Sequence, residues 1–273
     1  MVSEFYNNIL QRLPAALILV TFLLGILYLQ NTLIIFILLI ATGFLLAKEW
    51  LALSDSKIDL KLIIFFVTLM TFSFYSFYFA KVFIDLYLLL TSIFWIIYCF
   101  SLILNKTSSF ISFGNNYLGI FLILGFLFGL MHLIIFSEFP GLNNFFVLFV
   151  VLFNTVLVDV GAYLVGSTIG KTPLFPQISP NKTIEGLLGG FGFVLIFITV
   201  IYLFGLISLD LLIISLLSIP FAFVGDYFES QLKREKLIKD SGSLIPGHGG
   251  VWDRLDSHIA VMPIFIILTI LVV

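Results

Sequence analysis

Long apolar runs interrupted by short polar clusters make up most of the chain, and cutting it at those clusters and at Pro/Gly pairs gives about nine segments. They lie near 13–29, 32–47, 62–80, 83–104, 117–136, 143–165, 186–207, 210–225 and 258–273. A bilayer-crossing helix needs about 20 mostly apolar residues, so the pattern predicts an all-α, polytopic integral membrane protein. Only Gln30-Asn31 separates the first two segments. They should form a tight hairpin, and whether its second arm crosses fully stays open. No internal repeat is evident, which lowers the case for a transporter, and no connecting loop is long enough to fold as a soluble domain.

Composition agrees with this reading. Hydrophobic residues make up 61% of the chain, aromatics 17%, and mean hydropathy is +1.22, far from a soluble globular domain. The net charge of −2 identifies no partner, but the placement of the charges is informative. With a cytoplasmic N-terminus, that side receives twelve of the thirteen Lys and Arg and only Lys81 falls outside, as the positive-inside rule expects. An odd number of spans then puts Val273 on the outer side. The first apolar run leads into the second without a small-residue cleavage site, so no cleavable signal peptide is expected. One cysteine, Cys99, excludes an intramolecular disulfide and a Cys-based metal site. His132, alone in an apolar run, reads as a packing or hydrogen-bonding residue.

Against this background the stretch from Gly225 to Ser257 stands out. It holds five of the thirteen bases (Lys233, Arg234, Lys236, Lys239, Arg254) and six of the fifteen acids (Asp226, Glu229, Glu235, Asp240, Asp253, Asp256) in a chain only 10% charged. If the residues after Pro220 continue as a helix, Asp226, Ser230 and Lys233 share one face at i, i+4 and i+7. A carboxylate, a hydroxyl and an ammonium so aligned suit a metal and a phosphate together. Pro246-Gly247-His248-Gly249-Gly250 is too rich in Gly and Pro for a helix, and such a loop can turn backbone N–H groups toward an anion. Asp253 and Asp256 follow at i, i+3. Hard oxygen ligands around a Gly-rich turn fit Mg²⁺ and a polyphosphate. Charge alone, however, favours a solvated loop between two membrane helices.

A second polar region begins inside the sixth segment. Asp159 lies well within an apolar run, with Tyr163 at i+4, and an intramembrane carboxylate is a functional candidate by default. Farther on, Ser179-Pro180-Asn181-Lys182-Thr183-Ile184-Glu185-Gly186 reads as the start of the next helix. Ser179 is the expected cap and Pro180 the first helical residue, leaving free N–H groups that make an anion site reinforced by Lys182.

The order of these residues resembles the phosphatidate cytidylyltransferase (CDP-diacylglycerol synthase) family. The likeness rests on Ser230-x-x-Lys233-Arg234, Lys239-Asp240-x-Gly242 and Pro246-Gly247-His248-Gly249-Gly250-x-x-Asp253-Arg254-x-Asp256-Ser257. Asp159-x-x-Ala162-Tyr163-x-x-Gly166 and Ser179-Pro180-x-Lys182-Thr183-x-Glu185-Gly186 precede them in the expected order. Four positions depart from the family pattern. Lys236-Leu237 stands where a small residue and Gly are expected, Ser167 where a basic residue is common, and Asn181 where many members carry a second lysine.

The resemblance implies transfer of the cytidylyl group of CTP to phosphatidate, giving CDP-diacylglycerol and pyrophosphate for phospholipid synthesis. It implies Mg²⁺ as cofactor, as two ions with the second's identity open, a homodimer, no nucleic-acid partner, and a bacterial inner membrane with the active site facing the cytoplasm. Residues 1–116 are then scaffold, and 117–273 form the catalytic region of one continuous membrane domain, with cytoplasmic loops at 167–185 and 226–257. Asp226 and Asp253 are the expected metal ligands, with Asp256 a third, and Asp226, Asp253, Lys233 and Ser230 the expected catalytic group. Lys233, Arg234 and Lys239 would grip phosphates. Ser179, Lys182, Thr183 and Glu185 would shape the nucleotide side, with His248, Gly249, Gly250, Arg254, Asp159 and Tyr163 completing the binding set. Rival readings are a CTP-dependent lipid kinase, a cytidylyltransferase for another lipid phosphate and, remotely, a transporter.

Overall fold

The computed structural model describes residues 25, 28–53, 68, 77–104, 116–238, 241–242 and 249–273. Most of the expected segments at 13–29 and 62–80, and the site candidates Lys239 and His248, lie outside the described residues. Among those described, seven helical stretches of 19 to 27 residues are long and apolar enough to cross a membrane. At about 1.5 Å per residue, each reaches or approaches the ~30 Å of a hydrocarbon core.

Helix α1 (Thr32–Leu53) follows a turn closed by Gln30 at φ 48. The Asn31 side chain accepts from the N–H of Leu33 at 3.0 Å and of Ile34 at 3.2 Å, satisfying two free donors of the helix start. With 22 residues, this second arm of the sequence hairpin is long enough to cross. Helices α2 (Phe77–Ile103), α3 (Asn116–Ile135) and α4 (Asn144–Ile169) follow. Next come two short antiparallel strands, β1 (Pro173–Phe175) and β2 (Ser179–Thr183), paired Pro173 to Thr183 and Phe175 to Ser179. Then come α5 (Ile184–Leu203), α6 (Leu209–Ser218), α7 (Pro220–Glu235) and α8 (Trp252–Val272). Together α6 and α7 make one crossing, Leu209–Glu235, broken where Pro220 has no N–H to donate.

Two expected boundaries are corrected. Ser179 does not cap α5. It lies in β2, where the fixed φ of Pro180 suits extended chain, and Thr183 caps instead, its hydroxyl accepting from the Gly186 N–H at 3.1 Å. The final helix begins at Trp252 rather than near 258, so Asp253 and Asp256 belong to its first two turns.

Apolar burial gives little drive for helix association in lipid, so close packing has to supply it. Small residues make that possible between α4 and α5. A Cβ on Gly161 would stand 2.9 Å from the Gly189 carbonyl oxygen, and one on Gly186 2.9 Å from that of Ala162. Aromatic edges join α2 to α7, with Trp95 and Tyr98 meeting Phe228 at 5.3 and 5.2 Å, and Trp50 of α1 packs 5.0 Å from Trp252 of α8. Such pairs add about 0.5–1.5 kcal/mol each beyond area burial. The Tyr98 hydroxyl also donates to Gln231 Oε1 at 2.9 Å.

These contacts sort the helix ends onto two faces. The C-terminal ends of α1, α2, α4 and α7 gather with the N-terminal ends of α5 and α8. On the opposite face Asn143 donates to Gln30 at 3.0 Å, and His132 is held between Asp85 at 3.0 Å and Ser137 at 3.2 Å. The contact with Ser137 is the hydrogen-bonding role expected of His132.

Candidate functional site

The site begins at the glycine-packed pair α4 and α5, because the hairpin joining them carries Lys182 across to α7. Its ammonium meets Asp226 Oδ1 at 2.6 Å, donates to the Ser230 hydroxyl at 3.0 Å and to the Asp226 carbonyl at 3.3 Å, and lies 4.5 Å from the Tyr227 ring centroid. Glu185 secures the base of this hairpin. Its carboxylate accepts from the N–H groups of Lys171 and Thr172 at 3.1 and 3.2 Å and from the Thr172 hydroxyl at 2.9 Å. Thr183 and Glu185 therefore direct their polar groups inward and position Lys182. Arg234 fastens the other side of the hairpin, donating from Nε to the Ile178 carbonyl at 3.4 Å.

Helices α7 and α8 supply the acids. Gly225 allows the approach, since a Cβ there would run into the Asp256 carbonyl oxygen and lie 3.0 Å from Ala260 Cβ. As a result Asp226, Glu229 and Asp256 each present an oxygen within 4.8 Å of the others. Glu229 is only 2% exposed, with Oε2 on Lys233 at 2.7 Å and Oε1 buried without a hydrogen-bond partner. A buried carboxylate beside two others is costly, and a hard cation with oxygen ligands relieves that cost. These three residues fit a divalent ion. Asp159, exposed on α4, lies within electrostatic reach of Asp226, Lys182 and Arg254.

Asp253, the expected partner of Asp226, is engaged elsewhere. Its Oδ1 meets the Lys233 ammonium at 2.7 Å, while Oδ2 accepts from the Ser241 N–H and hydroxyl at 2.9 Å and from the Gly250 N–H at 2.7 Å. The acid that joins Asp226 and Asp256 is Glu229, at i+3 from Asp226 and i−4 from Lys233, where helix periodicity puts it on the same stripe.

Sequence reasoning also passed over Glu49. Buried on α1, it accepts from the N–H groups of Val251 and Trp252, both at 2.8 Å and about 200 residues along the chain. A carboxylate there satisfies free donors of α8 and matches the positive end of its dipole. Gly250 must be glycine for this to hold, since a Cβ would come 2.6 Å from Glu49 Oε2 and collide with the Ser241 hydroxyl. Gly249 has φ 81, which also favours glycine. The N–H of Gly250 is used within the protein, donating to the Asp253 carboxylate at 2.7 Å. Tyr163 and Arg254 are exposed on α4 and α8, and Ser179 is half-buried on β2.

Comparison with known proteins bears on this arrangement. A family model described as the cytidylyltransferase family matches residues 10–272. The chain belongs to that family. A protein of Bacillus subtilis (strain 168) named phosphatidate cytidylyltransferase is 45% identical over 126 residues, which cover 45% of this chain and 46% of the relative. One of the same name from Staphylococcus haemolyticus (strain JCSC1435) is 45% identical over 117 residues, covering 42% and 45%. The chain spans about half the length of the curated relatives it matches. Within a cytidylyltransferase, the group of Lys182, Lys233 and clustered acids at one end of the membrane helices is suited to phosphate chemistry.

Proposed function

We propose that the chain transfers the cytidylyl group of CTP to phosphatidate, releasing pyrophosphate and forming CDP-diacylglycerol. The observation that carries this reading is the meeting of Asp226, Glu229 and Asp256 beside Lys182 and Lys233 at the ends of membrane-crossing helices. A lipid phosphate oxygen attacks the α-phosphorus in line, a P–O bond forms, and the bond to the bridging oxygen of the β-phosphate breaks with its electron pair leaving on pyrophosphate. The attacking oxygen is already anionic, so no strong general base is required. The protein's contribution is orientation and charge compensation.

Asp226, Glu229 and Asp256 would hold Mg²⁺, which when bound neutralises triphosphate charge. Lys182 and Lys233 compensate the remaining phosphates, each kept in position by a carboxylate at 2.6 to 2.7 Å. Asp253 acts as a positioning residue, fixing Lys233 to the loop around Ser241 and Gly250. Of the described bases, Lys48, Lys171, Lys182, Lys233, Arg234, Lys236 and Arg254 lie toward the site face and Lys81 toward the other. That asymmetry supports a cytoplasmic site in a bacterial inner membrane.

The test is to give the purified protein CTP, phosphatidate and Mg²⁺ and identify the products. Pyrophosphate with CDP-diacylglycerol is the expected pair. CDP with a doubly phosphorylated lipid would indicate a kinase, and solute flux in liposomes without CTP consumption would indicate a transporter.

A further inference from the structure

An apolar groove of about 220 Å³ opens beside the charged site, between the C-terminal end of α2, the N-terminal half of α5 and the length of α7, with β1 over its upper edge. Its walls include Cys99, Leu187, Phe191, Phe223 and Tyr227. Among the described residues no charged side chain lines it, and only the Cys99 thiol and the Tyr227 hydroxyl bring side-chain heteroatoms. From Tyr227 to Pro220 it runs along α7 for about 10 Å at 1.5 Å per residue, away from the charged face and into the membrane. Phe191 and Phe223 stack across its inner part with centroids 6.3 Å apart.

Tyr227 joins groove and site. Its ring centroid lies 4.5 Å from the Lys182 ammonium, Phe175 of β1 packs edge-on to it at 5.1 Å, and the same side chain lines the groove. An anionic headgroup at Lys182 is therefore separated from the groove by one side chain, Tyr227. The groove's polarity and direction match a hydrocarbon tail attached to such a head.

Resting on the proposed lipid-phosphate chemistry, we infer that this groove seats one acyl chain of the lipid substrate, and that Cys99, Phe191 and Phe223 set how much of that chain is accommodated. A glycerolipid phosphate with long chains would be held at both ends, its phosphate beside Lys182 and one tail against Tyr227 and the Phe191–Phe223 pair. A short-chain analogue would be held by its head alone.

The test compares dioleoyl with dihexanoyl phosphatidate in unaltered protein, Cys99→Ser and Cys99→Trp. An indole at position 99 occupies the groove, and each methylene it excludes weakens binding about fourfold. With a few methylenes excluded, Cys99→Trp should lose about tenfold or more in kcat/KM for the dioleoyl lipid. Its activity on the dihexanoyl lipid and its KM for CTP should be unchanged, and Cys99→Ser should behave as the unaltered protein. An equal loss on both lipids, or no loss on either, overturns the inference. If Cys99→Trp fails to fold, a phosphatidate carrying a mid-chain diazirine is photolysed with the unaltered protein and the adducts are mapped by mass spectrometry. Adducts on the groove residues of α2, α5 and α7, suppressed by unlabelled phosphatidate, support it. Adducts confined elsewhere overturn it. Failure of the unaltered protein to turn over either lipid would instead count against the proposed function itself.

Discussion

Exchanging Glu229 and Asp253 one at a time separates metal binding from positioning. Glu229→Gln keeps the size of the side chain but replaces an anionic ligand by a neutral amide in the Asp226–Glu229–Asp256 group. Even outer-shell partners of metal ligands are worth about 10- to 100-fold in affinity, so the half-saturating Mg²⁺ concentration should rise at least tenfold. Lys233 keeps its 2.7 Å contact to Asp253 in that variant, so kcat at saturating Mg²⁺ should fall only a few-fold. Asp253→Asn has the opposite profile. It weakens the Lys233 contact and turns an amide toward donors at Ser241 and Gly250, and each charge-assisted bond lost is worth about 1.5–3 kcal/mol. Loss of one such bond corresponds to a fall in kcat of about 10- to 150-fold, with the Mg²⁺ midpoint unmoved. The assay is cytidylyl transfer across a Mg²⁺ titration, with size-exclusion elution as the check on folding. A shifted midpoint for Asp253→Asn alongside an unshifted one for Glu229→Gln would refute the assignment.

Four further outcomes are expected. Lys182→Ala should raise KM for CTP about tenfold or more with partial recovery in Lys182→Arg, while Lys171→Ala should leave KM unchanged; equal effects at both positions would reduce the contact to general positive charge. Leu237, 95% exposed and at φ 56 just after α7, pays about 1–2 kcal/mol for a left-handed conformation, so Leu237→Gly should raise the apparent melting temperature by a few degrees, and a decrease would refute this. Gly250→Ala should cost about 1–3 kcal/mol by overpacking against Glu49 and remove most activity, an outcome excluded by unaltered melting and turnover. For topology, a cysteine at exposed Glu138, in a Cys99→Ala background, should react with a membrane-impermeant maleimide added from outside; labelling only after the membrane is opened would reverse the orientation.

The membrane architecture was legible because apolar runs and their polar breaks are both local signals. So was the charged stretch after Gly225, where bases and acids crowd into a chain that otherwise excludes them. Leu237 was legible too: the position where the family pattern calls for glycine is one whose backbone is left-handed. Its N–H bonds back to the Arg234 carbonyl at 3.1 Å, and the Ile238 N–H to that of Lys233 at 3.0 Å, the pairing of a Schellman helix end. Strand pairing was less legible, since Ser-Pro-x-x-Thr offers two caps and only the partner strand at Pro173–Phe175 decides for Thr183.

Glu229 and Glu49 were missed for different reasons. Reading one helix face as i, i+4, i+7 from Asp226 selects Ser230 and Lys233, yet i+3 lies on the same stripe, and the rule that singled out Asp159 applies equally to Glu49 in its apolar run. What no local pattern supplies is the direction in which each carboxylate turns. Glu49 faces α8 because Gly119 leaves room for the Trp50 ring and Gly250 leaves room for the carboxylate itself. Asp253 spends its oxygens on Lys233, Ser241 and Gly250, four polar contacts in all. The proposed preference for Glu229 over Asp253 therefore rests on long-range packing among α1, α7 and α8. That packing also sets the outcome expected of the Mg²⁺ titration: the residue with a buried, unpaired oxygen moves the midpoint, and the residue whose oxygens are all taken does not.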